Sequence, residues 1–296
     1  MSPPTGHPLY RGRFAPSPTG ALHIGSLLCA VASYLDARAA NGIWLIRIDD
    51  IDPPREQPGA SDAILRTLEA HGLLWDESVL YQSTRLADYH ETMDQLLSKD
   101  LLYPCTCSRK QSRTEHNLYS GHCSQSTLPC DETHSIRARI GSNEVSFDDR
   151  IQGTCAFKPG LDLDDFVVKR RDGLFSYQLA ATADDLFQRI SHVVRGSDLL
   201  DSSARQIYLM KLLEREIPSY AHIPVLINDQ QQKLSKQNLA PALDDQQATG
   251  NLLYCLGKLQ QTIPEGAETA PPAEILDWAA KHWNPERIPA SVSISI

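Results

Sequence analysis

Long apolar runs are absent from this sequence. No stretch approaches the roughly 18 consecutive apolar residues of a membrane-spanning helix, which argues against an integral membrane protein of the helical kind. Residues 1–7 also lack the basic and then apolar pattern of a secretory signal peptide. With 296 residues and 41% hydrophobic content, the chain can nevertheless bury a full core. We therefore expect a globular cytoplasmic protein without a membrane partner, acting as a monomer.

Positive charge is also scarce. The chain has 28 lysine and arginine residues against 37 aspartate and glutamate residues, and its net charge is −9. Such a surface is unsuited to bind RNA as a whole, so an RNA contact would have to use local basic patches. Three patches are candidates, and each fits an ordinary solvated face equally well: Arg109-Lys110 with Arg113, Arg137 with Arg139, and Lys169-Arg170-Arg171.

One stretch near the N-terminus predicts a nucleotide site. A short apolar strand over residues 10–15 runs through a proline-rich turn into a helix predicted over residues 24–41. The free N–H groups at a helix N-terminus attract phosphate. Gly25 would let a nucleotide lie close to this helix, and His23 can donate a hydrogen bond to a phosphate oxygen. The competing interpretation is an ordinary strand-to-helix crossover that binds no nucleotide.

A second strand is predicted over Ile43–Ile48, whose β-branched and apolar residues suit the middle of a parallel sheet. Its carboxyl end delivers Asp49, Asp50 and Asp52 to the edge where ligands bind in open α/β folds. Acids so close together need cations, which Arg47, Arg55 or a bound amine can supply. The alternative for Asp49 is that it merely caps the following turn.

Three of the seven cysteines predict a metal site. Cys105 and Cys107 lie two positions apart, and Cys123 follows after a loop, which gives three of the four ligands that tetrahedral zinc needs. From residue types alone, His122 or His116 is the expected fourth ligand. A closed site with four protein ligands would be structural. The alternative is a cluster of reduced cysteines that holds no metal.

Two short motifs carry a family resemblance. Arg13-Phe-Ala-Pro-Ser17 and His23-Ile-Gly-Ser26 together resemble the first signature of the glutamyl branch of class I aminoacyl-tRNA synthetases, and Lys233-Leu-Ser-Lys236 resembles its second signature. The resemblance covers residues 10 to about 240. It implies an α/β fold with a Rossmann-like, doubly wound parallel sheet.

The resemblance also implies the site residues. His23 and Lys236 stand at catalytic positions, where positive charge would stabilise the transition state of adenylation. Glutamate would be bound by Arg13, Phe14, Ala15, Pro16, Ser17, Asp49, Tyr177 and Arg195. ATP would be bound by His23, Gly25, Lys233 and Lys236. Two arginines, one acid and a hydroxyl complement the two carboxylates and one ammonium of glutamate.

The sequence departs from the family at Asp49, where glutamyl synthetases have a glutamate that contacts the substrate amino group. Aspartate is one methylene shorter, so the amine would have to lie closer or be reached through a water molecule. Losing one charged hydrogen bond costs about 1.5–3 kcal/mol, which would weaken glutamate binding without abolishing it.

The zinc ligands and the domain boundaries follow from the same resemblance. The glutamyl-Q branch of the family has a Cys-x-Cys pair and then Tyr-x-x-x-Cys, which implies Tyr119 as the fourth ligand beside Cys105, Cys107 and Cys123, with His122 in reserve. The expected order is two halves of a catalytic domain around a zinc knuckle with a β-rich insert, and then a helical tail. These parts correspond to residues 8–102 and 166–240 for the two halves, 103–165 for the insert, and 241–296 for the tail, with helices near 247–260 and 272–283.

The short tail decides which reaction the resemblance implies. An anticodon-binding domain needs on the order of 100 residues, more than the segment 238–296 offers. The glutamyl-Q branch lacks this domain, activates glutamate with ATP and Mg²⁺ without needing tRNA, and esterifies it to queuosine in the anticodon of tRNA(Asp). Two alternatives are a truncated glutamyl-tRNA synthetase that charges a tRNA 3′ end, and a non-catalytic binding module descended from a synthetase.

Overall fold

The computed structural model describes residues 10–108, 110–111, 118–131, 133–234 and 240–296. The strands are β1 (Arg11–Phe14), β2 (Ile43–Ile48), β3 (Leu80–Tyr81), β4 (Leu102–Cys105), β5 (Ser135–Ala138), β6 (Val145–Asp149), β7 (Gly153–Phe157), β8 (Phe166–Lys169), β9 (His192–Gly196), β10 (Ser219–Ile223), β11 (Val225–Ile227) and β12 (Ser293–Ser295). The helices are α1 (Ile24–Ala39), α2 (Ala60–Ala70), α3 (Leu86–Ser98), α4 (Tyr177–Phe187), α5 (Leu200–Leu212), α6 (Ala248–Lys258) and α7 (Pro272–Lys281).

Parallel strands form the centre of the molecule. Strands β1, β2 and β3 pair in parallel, and so do β6, β10 and β9. Strands β1 and β9 lie side by side, and the Ser191 amide next to β9 donates to the Arg11 carbonyl at 3.0 Å. The strand order reverses between β1 and β9. In open α/β folds, ligands bind at the carboxyl ends of the strands beside such a switch point.

The segment predicted as a β-rich insert is divided between two sheets. Strands β4, β5 and β8 form a separate antiparallel sheet. By contrast, β6 pairs with β10, and the hairpin of β6 and β7 extends the edge of the central sheet. Tyr220 lies opposite Asp149 in this pairing. The domain boundaries themselves stay a prediction.

The first helix begins where its sequence predicts and ends two residues earlier than predicted, at Ala39. His23 is its N-cap, with extended backbone, and the His23 ring accepts a hydrogen bond from the Ser26 amide. At the other end Asn41 has a φ of +50°, and the Gly42 amide donates to the Ala37 carbonyl at 2.8 Å. A Cβ at Gly42 would lie 2.6 Å from Tyr10, so only glycine allows the chain to pass so close to β1.

The sequence also predicts one continuous strand over residues 222–227, and this prediction was wrong in its continuity. The run from His222 to Ile227 is divided into β10 and β11 at Pro224, which has no N–H to donate to a ladder. The second part, β11, pairs with β12 near the end of the chain, a strand that the sequence did not predict. Strand β7 and the extent of helix α4 were also not predicted.

The two predicted tail helices are confirmed as α6 and α7, and they pack on α1. Leu252, Leu256 and Ile275 belong to the same buried cluster as Leu28 and Val31 of α1. In the described ranges, no helix combines the length and the apolar character needed to cross a membrane.

Candidate active site

The N-terminus of α1 brings the two signatures together. The His23 Nδ1 accepts from the Ser26 amide at 3.3 Å, which leaves the ring proton on Nε2, where Ser26 Oγ lies 3.1 Å away. A Cβ at Gly25 would lie 3.1 Å from the His23 Cε1 and 3.9 Å from the Cβ of Leu234. The glycine therefore gives room to the His23 ring. It also places the start of the second signature beside the first.

The first residue of the second signature, Lys233, forms an ion pair. Lys233 Nζ lies 2.6 Å from Asp198 Oδ2, at the start of the segment that leads into α5. The Leu234 amide donates to the Leu226 carbonyl at 2.8 Å and ties the loop to β11. Lys236, to which sequence reasoning gives the transition-state contact, lies outside the described residues.

Arg195 is buried among neutral partners. The side chain is 5% exposed at the end of β9, and its Nη1 donates to the Tyr177 hydroxyl at 3.1 Å. Its Nη2 donates to Ser203 Oγ and Gln206 Oε1, at 2.7 and 2.9 Å. No carboxylate of the described residues lies within ion-pair distance of this guanidinium. A buried cation without an anion is costly, so a bound carboxylate is the group that this site favours.

His222 contacts Arg195 and links it to Asp149. Its Nδ1 donates to Asp149 Oδ2 at 2.6 Å, and its Nε2 accepts from Arg195 Nε at 3.3 Å. Burial lowers the pKa of His222, as does the charge of Arg195, and together they outweigh the opposing effect of Asp149. The ring is therefore neutral and serves as an acceptor for the guanidinium. Sequence reasoning did not assign His222 a role.

Arg13 is held by an acid that sequence reasoning missed. Its Nε and Nη2 lie 3.1 and 3.3 Å from the two oxygens of Asp185, and Arg47 Nη1 lies 2.6 Å from Asp185 Oδ1. Burial alone would raise the pKa of Asp185, but the two guanidinium groups lower it to about 2. Arg13 Nη1 has no hydrogen-bond partner in the described part of the chain, so it can donate to a ligand. The signal for Asp185 was the acidic pair at 184–185 inside an apolar helix.

Asp49 is a buried carboxyl with one open oxygen. Its Oδ1 accepts from Arg47 Nε at 2.7 Å, so Arg47 is one of the neutralising cations that the sequence predicts. Among the described residues, the Asp49 side chain accepts no hydrogen bond from a backbone N–H of the following turn. Its Oδ2 has no hydrogen-bond partner within the described ranges. Burial raises the pKa of Asp49 to about 6, with Asp184 acting in the same direction and Arg47 opposing it. A bound cation would relieve this cost.

A cleft of about 1400 Å³ connects these parts. Ser17, Asp49 and Tyr177 line it, whereas Arg13 and Arg195 lie behind its wall and Arg195 reaches it through the Tyr177 hydroxyl. Of the remaining predicted glutamate contacts, Phe14 lies in the core, and the Pro16 carbonyl accepts from the Asp49 amide at 3.0 Å. Of the predicted glutamate residues, the structure thus brings Ser17, Asp49 and Tyr177 to the cleft, and their role stays a prediction.

The cleft also borders the cysteine cluster, because Cys107 and Tyr119 are among its lining residues. The Sγ atoms of Cys105, Cys107 and Cys123 lie within 4.8 Å of one another. The Tyr119 hydroxyl lies 3.4 Å from Cys105 Sγ and 3.8 Å from Cys107 Sγ. Ligands at zinc bond lengths of about 2.0–2.3 Å stand about 3.5–3.8 Å apart in a tetrahedron, so this donor set fits a tetrahedral ion.

Tyr119 is better placed than His122 to be the fourth ligand of this cluster. Its hydroxyl faces two of the thiols and also accepts from the Cys123 amide at 3.0 Å. His122 is exposed and is not part of the cluster. The other candidate, His116, lies outside the described residues. Tyr119 therefore stays the predicted fourth ligand.

The basic patches are largely engaged within the protein. The guanidinium of Arg137 lies 3.7 Å from the Tyr119 ring centre, and that of Arg139 lies 4.6 Å from the Tyr103 ring centre. Arg170 pairs with Asp52 and Asp172. Arg171 is exposed and donates to the Thr106 carbonyl at 3.0 Å. Arg109 and Arg113 lie outside the described residues. The described basic side chains that line the cleft include Lys110, Arg137, Arg170, Arg171 and Arg205.

Comparison with known families gives one match over most of the chain. Residues 10–252 match the family of class I tRNA synthetases (E and Q), catalytic domain. A glutamyl-Q tRNA(Asp) synthetase of Ectopseudomonas mendocina is 48% identical over 286 residues, which is 97% of this chain and 97% of that relative. A protein of the same name from Neisseria gonorrhoeae is 49% identical over 290 residues, with coverage of 95% and 98%.

Solved structures agree on the fold. A glutamate tRNA ligase from Elizabethkingia meningosepticum, determined in complex with its amino acid, superposes with a TM-score of 0.80 at 23% identity. The match covers 97% of this chain and 66% of that one. A glutamate-tRNA synthetase from Elizabethkingia anophelis gives a TM-score of 0.81, also at 23% identity. At this identity the likeness concerns the fold alone.

Proposed function

The chain belongs to the class I tRNA synthetases of the E and Q group, and we propose that it activates L-glutamate with ATP and Mg²⁺, without needing tRNA, and transfers it to queuosine in the anticodon of tRNA(Asp). The relatives that carry the name glutamyl-Q tRNA(Asp) synthetase support this proposal, because they match along nearly their whole length at 48–49% identity. A tRNA substrate implies that the enzyme works in the cytoplasm.

The buried guanidinium of Arg195 is the observation that carries glutamate recognition. The guanidinium is fixed by Ser203, Gln206 and His222, all neutral, and its link to the cleft is the Tyr177 hydroxyl, to which its Nη1 donates. The side-chain carboxylate of glutamate supplies the missing negative charge. A planar guanidinium held in this way favours a carboxylate, which offers two oxygens in one plane.

Adenylation would take place between Asp49 and the N-terminus of α1. An oxygen of the glutamate α-carboxylate attacks the α-phosphorus of ATP, and the bond to pyrophosphate breaks. The free N–H groups of α1 and the Nε2–H of His23 face the growing negative charge on the phosphate oxygens. Lys233 and Lys236 of the adjoining loop would neutralise the pyrophosphate.

Transfer requires the modified base to reach the same end of the cleft. A hydroxyl of queuosine would attack the carbonyl carbon of the glutamyl-adenylate, form an ester and release AMP. The cleft continues from Tyr177 to Cys107 and Tyr119, which leaves space for an extruded base. Lys110 and Arg171 lie along this path, where they can contact RNA phosphates even though the protein is acidic as a whole.

The cysteine cluster would hold one structural zinc ion through Cys105, Cys107, Tyr119 and Cys123. Bound zinc would cross-link the loop; four protein ligands leave no position for a reactive water. We expect Cys107→Ser to lose zinc, measured by elemental analysis, and to lower the melting temperature. Tyr119→Phe removes one oxygen and should weaken zinc binding, whereas His122→Ala should retain the metal. Zinc loss in the His122 variant alone would give the fourth position to the histidine.

The function is tested in two assays. Glutamate-dependent exchange of pyrophosphate into ATP should proceed without RNA, and Lys236→Ala should reduce it by at least about a hundredfold because a transition-state charge is removed. Labelled glutamate should then transfer to tRNA(Asp) that carries queuosine but not to tRNA(Asp) that lacks it. Glutamate attached to the 3′-terminal ribose instead, shown by nuclease digestion of the labelled product, would identify a truncated glutamyl-tRNA synthetase.

A further inference from the structure

Asp49 has a neighbour at the adjoining strand end that no motif identifies. Strands β2 and β3 pair in parallel, with Arg47 opposite Leu80 and Ile48 opposite Tyr81. Asp49 directly follows β2, and Gln82 directly follows β3, where it begins a short 3₁₀ turn. Asp50 ties the two ends together, because its carboxylate accepts from the Ser83 amide at 2.8 Å and from the Ser83 hydroxyl at 2.7 Å.

The Gln82 side chain is fixed at one end and open at the other. It is 0% exposed, and its Nε2 donates to Asp184 Oδ2 at 2.8 Å. Because a carboxylate only accepts, this bond settles which end of the amide is which. Asp184 is itself held by Arg85 Nε at 2.7 Å and by the Tyr89 hydroxyl at 2.8 Å. Gln82 Oε1 is therefore held in place, and it is buried without a hydrogen-bond partner among the described residues.

Gln82 lines the same cleft as Asp49. A buried carbonyl oxygen without a donor costs about 1–3 kcal/mol, so such an atom at a ligand site indicates a group that the ligand supplies. The substrate ammonium offers three donors, and Asp49 is a methylene shorter than the usual glutamate. Asp49 Oδ2 and Gln82 Oε1 are two open acceptors at adjoining strand ends.

We propose that Gln82 is a substrate-binding residue, whose Oε1 accepts a hydrogen bond from the ammonium of glutamate beside Asp49. This contact rests on the proposed function and adds to it a residue that sets specificity for an α-amino acid. Without its amino group, the ligand leaves the amide oxygen unsatisfied. A dicarboxylic acid that lacks the amine would therefore gain nothing from Gln82.

A purely internal role for Gln82 is the competing account. Arg47 Nη2 is also buried without a partner, so one water molecule between it and Gln82 Oε1 would satisfy both groups. In that case, removing the amide would weaken the cluster around Asp184 and would affect every ligand of the cleft alike. The two accounts therefore differ in whether the effect depends on the amine.

The test compares glutamate with glutarate, the same dicarboxylate without the amine, in the full-length protein. Gln82→Met keeps the length of the side chain and removes the amide. It should raise the glutamate KM in pyrophosphate exchange about tenfold, equivalent to about 1.4 kcal/mol. The inhibition constant of glutarate and the KM for ATP should change less than about twofold. Tyr89→Phe is the matched control, because it removes another donor to the same Asp184 oxygen without lining the cleft.

The possible results distinguish failure of the Gln82 contact from failure of the proposed function. Equal losses for glutamate and glutarate in Gln82→Met, or the same glutamate loss in Tyr89→Phe, would overturn the contact and leave the proposed function intact. Absence of glutamate-dependent exchange in the unaltered protein would overturn the proposed function itself. Should Gln82→Met not fold, Gln82→Asn retains the amide one methylene shorter and should show the same selective loss of glutamate.

Discussion

At the scale of single residues, the site is built from buried charges whose partners decide their roles. Arg13, Arg47 and Arg85 are balanced by Asp184 and Asp185 together with Asp49. Arg195 has only neutral partners, although it is equally buried. Ion pairs offset the cost of burying the first three guanidinium groups, whereas within the described residues the charge of Arg195 has no such offset.

Replacing Arg195 should damage glutamate use and leave ATP use intact. Arg195→Lys keeps the positive charge but loses the planar fork that spans Tyr177, Ser203 and Gln206. We expect the glutamate KM in pyrophosphate exchange to rise about 10- to 100-fold, which corresponds to the loss of about 1.5–3 kcal/mol from charged hydrogen bonds. Arg11→Ala, which removes an arginine paired with the exposed Glu77, is the control. A rise confined to the ATP KM would show that Arg195 does not bind glutamate.

The raised pKa of Asp49 predicts that kcat/KM for glutamate falls at acidic pH. Burial raises this pKa from 3.8 to about 6, so the carboxyl becomes protonated as the pH falls through 6. Only the ionised form attracts the ammonium. Between pH 6 and 5, kcat/KM for glutamate should therefore fall about fivefold, with a plateau above pH 7. Asp49→Asn should be low and flat over this range, and an unchanged acid limb in that variant would assign it to another group.

The same group affects stability with a definite sign. Since the pKa of Asp49 is higher in the folded chain than in the unfolded chain, the folded chain binds more protons between pH 3.8 and about 6. The contribution of Asp49 to the free energy of unfolding therefore decreases as the pH rises through that window. A bound ammonium would offset this cost, which links binding to ionisation of the carboxyl.

At the scale of elements, helix α1 joins the site to the rest of the protein. Its N-terminus carries His23 and Gly25, while its other side packs against β1, β9 and the tail helices. The tail helices α6 and α7 thus cover the element that carries the proposed nucleotide site.

Truncating a core residue of α6 should therefore destabilise the whole protein. Leu256 is 0% exposed, so Leu256→Ala should lower the free energy of unfolding by about 2–5 kcal/mol, measured by urea denaturation. Leu161 is 66% exposed, and Leu161→Ala should change it by less than about 0.5 kcal/mol. Similar small changes in both variants would mean that the tail does not contribute to the core.

At the scale of the whole molecule, Asp36 connects segments that are far apart in the sequence. Its carboxylate accepts from the Tyr10 hydroxyl before β1, from Arg150 between β6 and β7, and from the Trp283 indole after α7. Burial alone would raise the pKa of Asp36, but Arg150 and the other donors lower it overall. The first strand, the edge hairpin and the tail therefore share one buried acceptor.

Neutralising Asp36 should cost stability in a pH-dependent way. Asp36→Asn should lower the free energy of unfolding at pH 7 by about 1–3 kcal/mol, because charged hydrogen bonds are lost. The pKa of Asp36 is lower in the folded chain, so its contribution is present above about pH 4 and is lost as the pH falls further. The difference between the two proteins should shrink in acid. Asp277→Asn, on the exposed face of α7, should show neither effect.

The sequence by itself determined the local elements and the positions that carry chemistry. Apolar periodicity predicts β1, α1, β2 and both tail helices, because each depends on neighbouring residues. The two signatures indicate a synthetase-like site through their resemblance to the family, and the cysteine spacing predicts a metal site because the ligands lie at short, fixed intervals. Asn41 and Gly42 likewise mark the end of α1 through local backbone preference.

Only the tertiary structure decided which of these residues are paired and which are open. Asp185 neutralises Arg13 although 172 positions separate them in the chain, and no local pattern encodes that pairing. Gln82 reads as a loop residue, yet the pairing of β2 with β3 brings it to the same cleft as Asp49. The β6–β7 hairpin joins the central sheet through β10. Burial and charge pairing depend on contacts between distant segments, so they become definite only when the whole chain has packed.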